Sequence, residues 1–421
     1  MGGRGAYAPC WVVGTGSAPD LFDKTGWVVV MGPRFVVRFA VAGLAVVLLA
    51  GCQPTIGGGT TRRITTGVGN SWAPSVSADG RFVAYTSEVP DVDGVRHPLL
   101  FLWDGRSGRT IQITYGDSTT HYPSVSGHGE IVAFESAAVL VPGDTNHSTD
   151  VFVWERATGA LQRISNGEAT SGGARVSDDG RHVMFGSYSA LVPEDTDGEA
   201  DSYIWDRVTG VTRLIPPGAC LGAGDTASQD GRYVTYSTAL GWSGEGPSHG
   251  DVYVCDSVAG TTTAITNSDA GSFLPVISGD GQHVAFTSWD PNLVAGDTNG
   301  IADVFVWSRR TGAIERISDL QPFDYAMYYP PKAMISDDGR IVAYATYEDQ
   351  DAWWHGRTDV FRWDRATGAT AKITDGNLID APAMSGDGRL IAYISGPSSD
   401  LIPADTDEHG DIFVWTRIRR R

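Results

Sequence analysis

Lysine is nearly missing from this chain. Lys24, Lys332 and Lys372 are its three lysines, and Lys and Arg together number 31 against 50 Asp and Glu, giving a formal net charge of −19 over 421 residues. Phosphate backbones are gripped by Lys and Arg, so nucleic acid is excluded as the expected partner. Cysteine is scarce as well: Cys10, Cys52, Cys220 and Cys255 form no CxxC pair and have no Cys/His spacing suited to zinc. Neither a zinc module nor a disulfide scaffold is expected. Apolar runs are short, and the one at 39–50 falls below the roughly 20 residues that a membrane-spanning helix needs. A Gly-x-Ser-x-Gly nucleophile elbow is also missing. The nearest approach, "GWSGEG" around Ser243, has Glu245 where the last glycine belongs.

The short apolar run has another reading. In "MGPRFVVRFAVAGLAVVLLAGCQP", which starts at Met31, Arg34 and Arg38 precede the run and small residues follow it. That is the anatomy of a secretory signal. Its end, Leu49-Ala50-Gly51-Cys52, resembles the lipobox of bacterial lipoproteins. The resemblance implies cleavage before Cys52 and a lipidated thiol that holds the protein to the extracytoplasmic side of a membrane. Residues 1–51 are then an upstream extension and a removed signal, with Met1 and Met31 as alternative starts, and residues 52–59 are a flexible tether.

From residue 60 onward the chain repeats itself. A Ser-x-Asp-Gly turn followed by an apolar strand occurs six times, as in "SADGRFVAYTS" and "SGDGQHVAFTS", and a seventh copy, "SGHGEIVAFES", has His128 in place of the Asp; the turn glycines are at 80, 129, 180, 231, 281, 339 and 388. A strand ending in Trp and a tight turn follow, as in "FVWERATG", and then a short closing strand such as "QRIS" or "AKIT". Asp-Gly between apolar runs marks a hairpin, because glycine accepts positive φ without a Cβ clash. The strand "DVFVW" is apolar on both alternating faces, which suits a strand buried between two stacked sheets. Repeats of about fifty residues with several strands each indicate a propeller.

The expected fold is all-β: a seven-bladed β-propeller of four-stranded antiparallel blades over residues 60–421. The last repeat stops at "DIFVWTR", one strand short, while "TTRRITTG" near the start matches "LQRISNG". The N-terminal segment is therefore expected to supply the outer strand of the last blade and close the ring. Cys220 and Cys255 would fall on the first and third strands of blade four, which are not neighbours, so no disulfide is expected between them.

The units "SxDGRxVAFxS…DVFVWDRxTG…RIS" resemble the TolB-type, WD-like β-propeller repeats of secreted bacterial proteins, over nearly all of residues 60–421. One departure stands out: TolB carries an α/β domain ahead of its propeller, and here the 52–59 tether is expected in its place. The resemblance implies a fold and leaves the task open.

The connection between second and third strands carries the sharpest candidate site. Four copies keep an Asp-x-Asp/Asn-x-x-x-Asp spacing: Asp144, Asn146 and Asp150; Asp195, Asp197 and Asp201; Asp297, Asn299 and Asp303; Asp405, Asp407 and Asp411. Oxygen side chains so spaced could hold calcium, but calcium takes six to eight oxygens and the bidentate Glu that ends an EF-hand loop is missing. The final Asp also survives alone as Asp251 and Asp359, which favours a turn in which that Asp holds backbone N–H groups. No cofactor is required on this reading, and calcium is the alternative. Trp353 and Trp354, in "DQDAWWHG", are candidates for gripping a sugar or a partner peptide, against the plainer role of covering the blade beneath.

The functional expectation is a monomeric, lipid-anchored, non-catalytic scaffold of the bacterial cell envelope that binds a protein or glycan ligand. The alternative is a propeller hydrolase or lyase acting on envelope or extracellular carbohydrate.

Overall fold

The computed structural model describes residues 27–31, 36–40, 55–65, 69–215, 226–238, 250–267, 270–319, 331–347, 358–374, 382–395 and 409–418. The chain divides into two units, Met1–Gln53 and Pro54–Arg421. In the first, strands Trp27–Met31 and Val36–Ala40 pair antiparallel at the start of the segment read as a signal. Among the described residues no helix is long and apolar enough to cross a membrane.

The second unit is the expected propeller. Six sheets have four antiparallel strands in chain order, and the seventh is completed from the other end of the unit. Blade two is representative: Thr120–Val125, Ile131–Ser136, Asp150–Glu155 and Leu161–Arg163. In blade seven, Gly59–Arg63 pairs with Asp411–Arg417, opposing Arg63 to Phe413 and Thr61 to Trp415. This is the closure expected from "TTRRITTG". The ladder also begins earlier than residue 60, because Thr55–Ile56 folds back on Gly59–Arg63 through Gly57 and Gly58, whose φ values are 61° and 78°. Part of the expected tether is thus a fifth strand.

Hydrophobic patterning explains the stacking. In "DVFVW" every residue from Asp150 to Trp154 is buried. Val151 and Val153 pack with Val183 and Phe185 of blade three, while Phe152 and Trp154 pack with Phe82 and Leu102 of blade one. Seven such apolar clusters occupy the seven junctions between neighbouring blades, including the one where Ile412 and Val414 of blade seven meet Val83 and Trp103 of blade one. Each large side chain so buried contributes on the order of 1.5–3 kcal/mol.

Local chemistry fixes the turns. In Ser-x-Asp-Gly of blade one, the Ser77 hydroxyl donates to Asp79 at 2.6 Å and accepts the Phe82 amide at 2.9 Å, while Asp79 also accepts the Arg81 amide. Gly80 takes φ 68°. Arg81 then pairs with Asp104, just past the third-strand tryptophan, at 2.9 Å, and Arg181–Asp206, Arg232–Asp256 and Arg340–Asp364 repeat this link.

One disulfide is unanticipated. Cys255 is disulfide-bonded, with its partner outside the described residues. The expectation concerns only a bond to Cys220 within the same sheet, and Cys220 also lies outside the described residues. Cys255 projects from the sheet face, 1 % exposed, into the cluster shared with Met184 and Ile215 of blade three, where a partner need not lie on a neighbouring strand.

Candidate functional site

The first strands of all seven blades line a cavity of about 490 Å³ on the propeller axis. Its wall is mostly apolar, with Pro74, Pro123, Pro275, Met184 and Met334 among its residues, but Arg175, His182 and Lys332 line it as well. Three of the first strands bulge just before a proline, at Ala73 (φ 51°), Tyr122 (φ 47°) and Leu274 (φ 53°). Non-glycine residues rarely adopt this conformation, and here it re-aims the strand along the cavity wall.

At one end of the cavity the seven Ser-x-Asp/His-Gly turns meet around the axis. The x positions are Ala78, Gly127, Asp178, Gln229, Gly279, Asp337 and Gly386. They are linked between blades by backbone bonds such as Gly127 N–H to Asp178 C=O, Gln229 N–H to Gly279 C=O, Asp337 N–H to Gly386 C=O and Gly386 N–H to Ala78 C=O, all 2.8–2.9 Å. The glycines make room for the acids: a Cβ on Gly386 would lie 1.9 Å from an Asp337 carboxylate oxygen, and one on Gly279 would lie 2.9 Å from the other.

Two carboxylates therefore stand in this ring. Asp178 accepts a 2.8 Å bond from the Gln229 side chain, and burial pushes its carboxyl above the usual range. Asp337 is pushed up to about 6, first by burial and then by the charges of Asp178, Asp338, Asp387 and Asp280. Sequence reading missed this pair. The signal was the variable second residue of the Ser-x-Asp-Gly turn, acidic in blades three and six, but only ring closure shows that all seven converge.

The repeated second-to-third-strand loop is held in a way that sequence reading saw only in part. Its final Asp accepts from a side-chain hydroxyl just past the closing strand of the same blade. The pairs are Ser165 to Asp150 (2.6 Å), Thr266 to Asp251 (2.7 Å), Ser318 to Asp303 (2.5 Å), Thr374 to Asp359 (3.2 Å) and Thr65 to Asp411 (2.5 Å). The same hydroxyl accepts the next backbone amide, as Ser165 does from Val151 at 2.8 Å. The expected backbone donors to the final Asp are thus replaced by a hydroxyl relay.

A cation completes the arrangement in blades two and five. Arg163 reaches Asp144 at 3.1 Å and Asp150 at 3.2 Å, and Arg316 reaches Asp297 at 3.1 Å and Asp303 at 3.3 Å. Asn146 caps its loop by accepting the Ser148 amide and donating to the Gly167 carbonyl, while Asn299 donates to Asp303. Arg63 and Lys372 provide the cation for Asp411 and Asp359. The Arg and Ser of the "RIS" marker are therefore structural partners of the loop. In blade three Asp195, Asp197 and Asp201 are drawn together, and burial and the two neighbouring acids push the Asp201 carboxyl up. Cys52, Trp353, Trp354, Asp405 and Asp407 lie outside the described residues.

No family model matches the chain. It is 24 % identical over 313 residues to the Tol-Pal system protein TolB of Francisella tularensis subsp. tularensis (strain WY96-3418), which covers 63 % of this chain. The chain spans 64 % of that relative's length. Among solved structures it resembles an oligogalacturonate lyase from Vibrio parahaemolyticus (TM-score 0.57, 11 % identity, 85 % of this chain and 93 % of that one). It also resembles the β-propeller domain of the Trilobed protease from Pyrococcus furiosus (TM-score 0.54, 14 % identity, 82 % and 95 %), which is described as having an open velcro topology. At these identities the likenesses concern the fold.

Proposed function

We propose that this chain, a seven-bladed β-propeller of the TolB type, is a non-catalytic binding module of the bacterial cell envelope whose axial cavity takes the cationic end of a protein ligand. The observation that carries this reading is the Asp178/Asp337 pair, its carboxyls pushed up by burial, at the end of a mostly apolar cavity whose other charged lining residues are Arg175, His182 and Lys332. An apolar wall accommodates the stem of an Arg or Lys side chain, and the two carboxylates and the Gln229 amide receive its charged head. The relative is named as a protein of the Tol-Pal system, and membership of a system fits a binding role. The test is capture from envelope extract by the wild type and by an Asp178→Asn/Asp337→Asn double variant. The reading expects a protein retained by the first and lost by the second; equal retention would refute it.

A second reading has one observation in its favour. A carboxyl pushed up to about 6 can serve as a general acid, so Asp337 suits a propeller hydrolase or lyase acting on envelope or extracellular carbohydrate. The net negative charge of the chain disfavours polyanionic glycans, although Arg175 and Lys332 line the cavity beside Asp178 and Asp337. Release of saccharide fragments by the wild type, abolished in Asp337→Asn, would favour this reading over the first.

Anchoring through Cys52 belongs to the same proposal. Cys52→Ser is expected to move the protein from the membrane fraction to the soluble fraction or leave it unprocessed. A variant that still matures at the same position and stays membrane-bound would exclude the lipid anchor.

A further inference from the structure

Blade three breaks the loop pattern at three places at once. Leu214 stands opposite Tyr203, in the register position that Arg163 holds opposite Phe152 and Arg316 holds opposite Phe305. Two residues further on, the sequence has Pro216 where the hydroxyl-bearing Ser165 and Ser318 stand in blades two and five. Blade three thus lacks both the arginine and the hydroxyl that serve the final Asp elsewhere, yet it keeps all three acids.

Those acids are not simply a solvated cluster. Asp195 is 7 % exposed and Asp201 is 4 % exposed, and Asp195 Oδ1 and Asp201 Oδ2 are buried without a hydrogen-bond partner. One oxygen from each of Asp195, Asp197 and Asp201 lies within 4.8 Å of the other two. Tyr203 has replaced the phenylalanine of blades two and five, and its hydroxyl donates to Asp195, fixing that carboxylate. Exposed Asp197 accepts the Glu199 amide at 3.0 Å, which sets the turn. Buried carboxylate oxygens without a cation are costly, and blades two, five, six and seven meet this cost with a guanidinium or ammonium group.

We propose that blade three binds one calcium ion between Asp195, Asp197 and Asp201, in the place that an arginine occupies in blades two and five. The donors are all hard oxygens, and Asp197 leaves one side open to water, which suits the flexible coordination of calcium better than the strict octahedron of magnesium. In blade three the arginine is exchanged for leucine and the second loop position is Asp197, where blades two and five have Asn146 and Asn299; blade seven, with Asp407 at that position, keeps Arg63. This inference is independent of the axial cavity.

The test is calcium titration of the chelator-treated full chain by calorimetry, with melting curves in chelator, in calcium and in magnesium. The wild type is expected to bind one calcium per chain and to melt higher with calcium than with chelator. Asp201→Asn should lose about tenfold or more in affinity. Asp297→Asn, in the arginine-filled loop of blade five, should titrate as the wild type does. Leu214→Arg should abolish calcium binding while melting in chelator at least as high as the chelator-treated wild type. Asp195→Asn gives an independent reading should Leu214→Arg fail to fold, and it should also weaken binding. No calcium binding by the wild type, unchanged binding in both Asp201→Asn and Asp195→Asn, or a response to magnesium as large as that to calcium would overturn the proposal.

Discussion

Asp303 is fully buried, and it shares its oxygens between the Ser318 hydroxyl and the Arg316 guanidinium. Asp303→Asn keeps an acceptor for Ser318 but sets an amide NH2 against the Arg316 and Asn299 donors, so it should be the milder of two destabilising changes. Asp303→Leu removes the acceptor and leaves Arg316 short of a carboxylate, so it should destabilise the propeller by roughly 3 kcal/mol, read from denaturant melts. Equal melts for the two variants would contradict this account of the loop. The loop aspartates were legible in the sequence as a repeated motif, but their partners were not. Ser318 lies fifteen residues further along the chain, and only the pairing of third and fourth strands brings the two together. The axial acids were harder still to read. Asp178 and Asp337 sit three blades apart, and nothing local distinguishes them from other turn residues until the ring closes.

At the scale of elements, strand identity was legible nearly throughout because two periodicities coincide: apolar residues on both faces of the third strand, and Asp-Gly turns at fixed spacing. The closing strand was legible for a different reason, since "TTRRITTG" supplies the one piece missing from the last repeat. It also brings Arg63 and Thr65 to Asp411 and buries Thr61. Deleting residues 60–66 should therefore expose an edge of Asp411–Arg417 and lower both the melting temperature and the cooperativity of unfolding, whereas deleting 419–421 should do little. A melting curve for the first deletion that overlays that of the intact protein would show that the ring is not held this way. The disulfide at Cys255 was not legible, because strand order describes neighbours within a sheet and says little about what meets its face.

At the scale of the whole molecule, sevenfold repetition turns one unremarkable turn position into a ring. Five of its seven members are small or neutral, and Asp178 and Asp337 concentrate charge where the apolar cavity ends. Because burial and Asp178 push the Asp337 carboxyl up to about 6, from an ordinary 3.8, the folded chain holds an extra proton between those values. This group therefore lowers stability as pH rises from 3.8 to about 6, and its effect is level above that. A cationic ligand reverses the balance, since it prefers the ionised acid. The direct measurement is the affinity of the full chain for a short peptide ending in arginine, at about pH 5 and about pH 7.5, for the wild type and Asp337→Asn. The account predicts that the wild type binds more tightly at the higher pH and that Asp337→Asn binds more weakly, by roughly tenfold or more, without that pH dependence. Equal affinities for the two proteins at both pH values would contradict it.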